Sequence, residues 1–433
     1  MAIPEKTIGW MVTAAGFAFI AAMTLVPNPE LVEEVRSIPN LCLICGELGG
    51  QNFILNVLLF VPLGIGLCLV GVPGWKAVGI AFLTTFAVES LQYKVIVGRH
   101  ASLSDLVSNT TGGWLGFIVA KHRGGLLLPS RQAARWLALL AICAWLAIQT
   151  VSAALLAIAP PSGDYVGGWA PQLPCCDEFR GTVVSAALDG LAIPRQLSGG
   201  AWLRKHLEGR ESFALRVLAL GDGATSWHAP IVGVLYDRER ELLVLSQSGS
   251  ELVFRVRTRA ADLGVRSPAL ALPHVVPEVP GKKLEIQAGR YGGWLFLQLT
   301  SDGKKYRREL AMSPSWGWSY LVPFGYAFGP EVHSLTMLWI GGLLAPIAYW
   351  VRRAIHPRRA RWHGPLVLVI VVGLGLGVLP VIAHFPPVHW SEWFAAAAGL
   401  CAGWFLAPVV EVAPLLSLDQ AGARSCTLRS GQR

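Results

Sequence analysis

Charged side chains are scarce in this sequence: 15% of 433 residues, against about 25% in a typical soluble domain. That deficit argues against a soluble enzyme of two or three domains, which this length would otherwise suggest. Acid is the scarcer sign, with 27 Asp and Glu against 36 Lys and Arg and a formal net charge of +9. The bases stand in short loops beside apolar runs, the mark of cytoplasmic loops in a membrane protein, so no nucleic-acid partner is expected. Two other absences matter. No convincing small-x-small cleavage site follows the first apolar run, so that run is expected to remain as an anchor. No run of Asp and Asn offers a calcium site, and neither a metal nor a cofactor is expected.

What the chain does have is apolar length. Hydrophobic residues make up 53%, gathered in runs of about 20, the length that crosses a bilayer as a helix. Eight spans are expected: Thr7–Val26, Asn52–Val72, Lys76–Tyr93, Leu103–Ala120, Ala134–Ala159, Ser334–Val351, Gly364–His384 and Glu392–Val410. Many of the 17 Trp residues, among them Trp10, Trp75, Trp136, Trp339, Trp350, Trp390 and Trp404, fall at the edges of such runs. Indole rings prefer the bilayer interface, and the bilayer is the expected partner. The expected fold is therefore an α-helical polytopic membrane protein with an inserted all-β domain. Its expected parts are a membrane domain of five spans over 1–159, a β-sandwich over 160–332, three further spans over 333–411, and a disordered tail over 412–433.

Loop charge gives the expected orientation. The loop after the fourth span carries Lys121, Arg123, Arg131 and Arg135 without an acid. The loop after the sixth carries Arg352, Arg353, Arg358, Arg359 and Arg361, again without one. Basic loops stay cytoplasmic. Both termini then lie in the cytoplasm and 160–332 lies outside a bacterial inner membrane.

Polar residues inside spans are costly, about 2.5–3.5 kcal/mol for a carboxylate on insertion scales, so each needs a partner or a purpose. Asn56 lies in the second span, Glu89 and Gln92 close the third, Arg99 stands in the turn, and Asp105 and Asn109 open the fourth. The pairs Glu89/Gln92 and Asp105/Asn109 each share one helix face. Gly112 and Gly116 give the fourth span a small-xxx-small packing face, and Gly64 sits in the second. The ordered set Asn56…Phe60-x-Pro62-x-Gly64, Glu89-x-x-Gln92, Arg99, Asp105-x-x-x-Asn109, Gly112-x-x-x-Gly116 resembles the VanZ-like family. The resemblance covers about Pro27–Lys121. It implies an envelope membrane protein, in a family named for glycopeptide (teicoplanin) resistance and without a generally established activity. The last span repeats part of the pattern, with Glu392, Gly399 and Gly403 at the spacing of Asp105, Gly112 and Gly116, and Ala396 in the place of Asn109.

Between Ser212 and Tyr306 the hydrophobic period changes to two. Expected strands are Ser212–Ala219, Ile231–Tyr236, Glu241–Ser246 and Glu251–Arg259, with a tight hairpin at Asp302-Gly303. The pattern resembles a laminin-G or concanavalin-A-like jelly roll, which implies a carbohydrate partner; a folded spacer is the alternative. Of eight Cys, Cys42, Cys45, Cys175 and Cys176 fall outside the membrane. Disulfides are expected among them in an oxidising compartment, with a four-thiolate zinc site as the alternative.

Three functions remain open from sequence. The leading one is a non-enzymatic envelope protein whose polar cluster binds a cell-wall precursor, polysaccharide or lipid headgroup. The second is an enzyme acting on such a molecule through Glu89 and Asp105. The third is a transporter built on degenerate repeats. Oligomeric state is not legible.

Overall fold

In the computed structural model the described residues are 4–26, 48–96, 102–173, 176–208, 212–223, 225–236, 240–322, 327–329, 331–355 and 357–426. Arg99, Cys42, Cys45 and Cys175 lie outside them. Cys176 is disulfide-bonded, while Cys68, Cys143 and Cys401 are free thiols.

The chain divides into two compact units, Met1–Lys121 with Ser152–Val332 and Ala383–Pro386, and His122–Val151 with His333–Ile382 and Pro387–Arg433. The first unit opens with four helices: α1 (Glu5–Thr24), α2 (Gly49–Val70), α3 (Gly74–Lys94) and α4 (Leu103–Lys121). Gly71, left-handed at φ +96°, ends α2, and its N–H returns to the carbonyls of Cys68 and Leu67. Small residues set the helix spacing. A Cβ on Gly112 would lie 2.1 Å from the Val57 carbonyl oxygen, and one on Gly116 would lie 2.1 Å from that of Val61. The backbones of α2 and α4 therefore touch. Gly64 meets the Gly113 carbonyl in the same way, and Gly66 takes Thr13 of α1. Ile20, Phe60, Leu63, Leu67, Ala81 and Phe117 fill the space between the four helices.

The second unit holds most of α5 (Arg131–Leu155), α6 (Val332–Ala354), α7 (Pro357–Val372) and α8 (Trp390–Cys426). A π-helical segment, Gly373–Val378, continues α7 and lets Gly375 pass against the buried Trp145 ring. Here too glycines carry the packing: Gly399 and Gly403 of α8 lie over the carbonyls of Gly341 and Ala345 in α6.

Five helices among the described residues are long and apolar enough to cross a membrane: Glu5–Thr24, Gly49–Val70, Arg131–Leu155, Val332–Ala354 and Trp362–Ile382. The other expected spans are helical as well, in α3, α4 and α8. The first two of these carry many hydroxyl, amide and carboxyl groups, which lower their mean hydropathy. The count of eight spans remains an expectation.

The inserted segment forms two antiparallel six-stranded sheets, in the orders β4-β1-β6-β7-β8-β9 and β12-β11-β10-β5-β2-β3. The first contains β1 (Tyr165–Trp169), β4 (Gln196–Leu197), β6 (Thr225–Tyr236), β7 (Arg240–Gly249), β8 (Glu251–Val256) and β9 (Ala269–Leu272). The second contains β2 (Thr182–Leu188), β3 (Leu191–Ala192), β5 (Phe213–Leu220), β10 (Lys283–Tyr291), β11 (Trp294–Ser301) and β12 (Lys304–Ala311). In β5 every second residue from Phe213 is buried, as a half-covered strand requires. Phe213 meets Phe254 of β8 at a ring-centroid distance of 6.4 Å, so the inner faces of the two sheets share one core.

The β-domain is seated on the helices at a glycine joint. The Gln51 N–H, in the first turn of α2, donates to the Gly264 carbonyl at 2.9 Å. The Gln51 side chain, 1% exposed, donates to the Val322 carbonyl. A Cβ on Gly50 would lie 1.9 Å from the Leu263 carbonyl oxygen, so nothing larger fits there without displacement.

Candidate binding site at the junction of α3 and α4

The polar residues of α2, α3 and α4 meet in one network. Its scaffold is a helix start. The Ser102 hydroxyl accepts from the Asp105 N–H at 3.1 Å, the capping arrangement that satisfies an orphan donor of a first turn. The Ser102 N–H donates to Glu89 Oε2 at 2.9 Å. The end of α3 and the beginning of α4 are thereby tied through one carboxylate, which also meets the positive end of the α4 dipole.

Across this tie lies α2. Asn56 Nδ2 donates to Asp105 Oδ1 at 2.5 Å. One turn further into α4, Asn109 Nδ2 donates to Thr85 Oγ1 at 2.9 Å, and the Thr85 hydroxyl lies 3.5 Å from the Asp105 carbonyl. Gln92 turns the other way and donates to the Thr24 carbonyl at the end of α1, at 3.0 Å. Of the six polar residues singled out from sequence, Asn56, Glu89, Asp105 and Asn109 are brought together. Gln92 braces the neighbouring helix pair, and Arg99 lies outside the described residues.

Burial separates the two carboxylates. Glu89 is 7% exposed and Asn109 is 2% exposed, while Asp105 and Asn56 are half-buried. Asp105 is thus the less buried of the two acids. Among the described residues no donor reaches the buried Asn109 Oδ1 or Gln92 Oε1. Sequence reasoning missed Ser102 and Thr85. The spacing Ser102-x-x-Asp105 ahead of an apolar run is a helix-start signal that could have found the first. Thr85 has no such signal, because a threonine within a span is ordinarily a backbone-bonded packing residue. No group of three or more His, Cys, Asp or Glu able to hold a metal occurs among the described residues.

Residues 7–128 match the family model described as VanZ/LLP1. The match spans α1 to α4 and contains every residue of this network, so the segment is VanZ-like and the remainder of the chain lies beyond the match. No curated protein and no solved structure matches the chain.

Proposed function

We propose that this is a bacterial inner-membrane protein of the cell envelope whose Asn56–Asp105 site faces the outside and binds a polar headgroup. The ligand class is a cell-wall precursor, a polysaccharide or a lipid headgroup. The observation that carries the reading is the contrast within the network. Glu89 is buried and held by the Ser102 N–H, and Asn109 and Thr85 are buried and bonded to each other, as braces should be, whereas Asp105 is only half-buried although Asn56 already orients its carboxylate. A helix-packing device has no need of a half-buried acid at the end of a span, where exposure to lipid is costly. The loops carrying Lys121, Arg123, Arg131 and Arg135, and Arg352, Arg353, Arg358, Arg359 and Arg361, support the orientation. In this reading Glu89 holds the α4 start and takes no part in acid–base chemistry, which makes a binding protein the better account than an enzyme.

The test compares abundance with phenotype in cells. Asp105→Asn keeps the shape and one acceptor for Asn56 but removes the charge. It is expected to accumulate to wild-type level and to fail to restore the glycopeptide or exopolysaccharide phenotype of a deletion strain. Asn109→Ala is the structural control. It is expected to keep that phenotype and to cost about 0.6 kcal/mol of stability, the mean for an interhelical polar contact. Full complementation by Asp105→Asn at normal abundance would refute the binding role. Arg99→Lys extends the test, since lysine keeps charge but loses the planar fork that grips a carboxylate or phosphate at two points.

A further inference from the structure

A second polar site lies away from the Asp105 network, on the β-domain beside the start of α2. A cavity of about 320 Å³ is lined by Arg240, Arg255, Arg257 and Arg266, with Glu241 and Asp262 as its acids. Among the described lining residues four guanidinium groups stand against two carboxylates, a net charge of +2. Arg255 pairs with Glu241, and Arg257 pairs with Asp262 at 3.0 Å. The Arg257 side chain is only 8% exposed, and among the described residues no hydrogen-bond partner reaches its Nε. A buried guanidinium with an unused donor is costly, and an anion would relieve that cost. The positive field extends beyond the lining. Burial holds His228 below the ordinary imidazole range, and Arg255 and Arg266 push it further down while Glu241 pulls it back up.

The depth of the cavity is set by Leu48, which is part of the lining and directly precedes α2. The 22 residues of α2 span about 33 Å at 1.5 Å per residue, close to the roughly 30 Å hydrocarbon thickness of a bilayer. With α2 across the membrane, Leu48 and the cavity stand at the level of the lipid headgroups. We propose that this cavity binds the phosphate of an anionic lipid headgroup. Guanidinium forks match phosphate oxygens two at a time, and among the described lining residues the acids are Glu241 and Asp262. The site is independent of Asp105, so either can fail without the other.

The test uses the purified full chain in neutral detergent, titrated with short-chain phosphatidic acid, short-chain phosphatidylcholine and inorganic phosphate. Binding is read by native mass spectrometry and by thermal shift. Saturable binding of phosphatidic acid is expected, at least about tenfold weaker in Arg240→Gln/Arg266→Gln, the scale of one lost charge-assisted hydrogen bond. Glu241→Gln, which removes a competing anion, is expected to tighten binding. Phosphatidylcholine, whose choline brings a positive charge into the site, is expected to bind more weakly. The Asp105→Asn chain is expected to bind as wild type. Equal affinity in the double Arg variant, confirmed as folded by its circular dichroism, would overturn the site. Full displacement by inorganic phosphate at the same concentration would assign it to free phosphate and overturn the lipid source.

A different set of contacts carries a second inference. In the first unit Gly112 and Gly116 lie over the carbonyls of Val57 and Val61, and Pro62 follows Val61. In the second, Gly399 and Gly403 lie over those of Gly341 and Ala345, and Pro346 follows Ala345. Phe117 follows Gly116, and its ring lies against Gly74; Trp404 follows Gly403, and its ring lies against Gly364. Each glycine belongs to the helix before the glycine-paired one. The cores agree as well, with Phe60, Leu63 and Leu67 answered by Leu344, Ile347 and Val351. We infer that α5 to α8 are a second copy of the α1 to α4 unit. The β-domain then occupies the connection between first and second helix that residues 25–48 make in the first copy. The counterpart of Asp105 is Glu392, 3% exposed, and Ser102 is answered by His389, whose ring stacks on that of His333 at 4.2 Å. Asn56 is answered by Ile340.

This register makes a directional test. Ile340→Asn should place an amide opposite Glu392 as Asn56 faces Asp105, whereas Leu344→Asn places it one turn away. Ile340→Asn is expected to accumulate several-fold better than Leu344→Asn, and Glu392→Ala is expected to erase that advantage while tolerated alone at measurable abundance. Equal abundance of the two Asn variants, or an advantage indifferent to residue 392, would overturn the repeat.

Discussion

A single carbon atom separates tolerated from disruptive changes in these helices. A Cβ at Gly112 would meet the Val57 carbonyl oxygen at 2.1 Å, but one at Gly79 in α3 meets nothing within 4 Å. Gly112→Ala is therefore expected to force α2 and α4 apart at a cost of about 1–3 kcal/mol, typical of overpacking. Gly79→Ala is expected to be neutral or to stabilise by about 0.5–1 kcal/mol through helix propensity. Unfolding midpoints of the two variants in the same detergent decide it. At this scale the sequence was informative about the residues whose presence in a span is costly, since Asn56, Glu89, Asp105 and Asn109 announce themselves by polarity alone. Their pairing was less legible. Nothing in the spacing says that Asn56 reaches Asp105 while Glu89 turns to the Ser102 N–H, because that choice is made by how closely the glycines let α2 and α4 approach.

Among the elements, strands that alternate, as β5 does, or carry a branched apolar run, as β7 does, could be read, and short strands built on Gly or Ala could not. The Ser212–Ala219 expectation is β5, and Glu241–Ser246 lies within β7. The Asp302-Gly303 turn joins β11 to β12 with positive φ at both residues. By contrast β1, with the sequence Tyr-Val-Gly-Gly-Trp, and the fully buried β9, Ala-Leu-Ala-Leu, show no period of two. β1 still matters, because it pairs with β6 over five positions and with β4 over two. A fragment covering 160–331 is expected to give a circular dichroism spectrum dominated by β-structure. A fragment beginning at Pro171, which lacks β1, is expected to melt at a lower temperature. A helix-dominated spectrum, or identical melting of the two fragments, would contradict this account.

For the whole molecule the distribution of charge makes the clearest claim. Reporter fusions at Arg131, Gly221 and Arg358 are expected to read inside, outside and inside, because the two Arg-rich loops resist translocation. An outside signal at Arg131 or Arg358 would invert the arrangement and with it the side on which Asp105 and the arginine cavity lie. Hydropathy located the helices, but the meeting of the β-domain with α2 was invisible to it, since Gly50 and Gly264 carry no pattern until their backbones are seen in contact.

That contact makes the β-domain and the first helices one mechanical piece. Gln51 grips two carbonyls of the domain from the first turn of α2, and α2 in turn rests on α4 through bare backbone at Gly112 and Gly116. A pull on the sandwich is therefore delivered along a stiff lever into the bilayer, where a flexible linker would have absorbed it. Gly50→Ala is expected to break the lever: wild type should melt in one step for this unit, and the variant in two, with the sandwich separating from the helices. A single transition in both would mean that the joint transmits nothing.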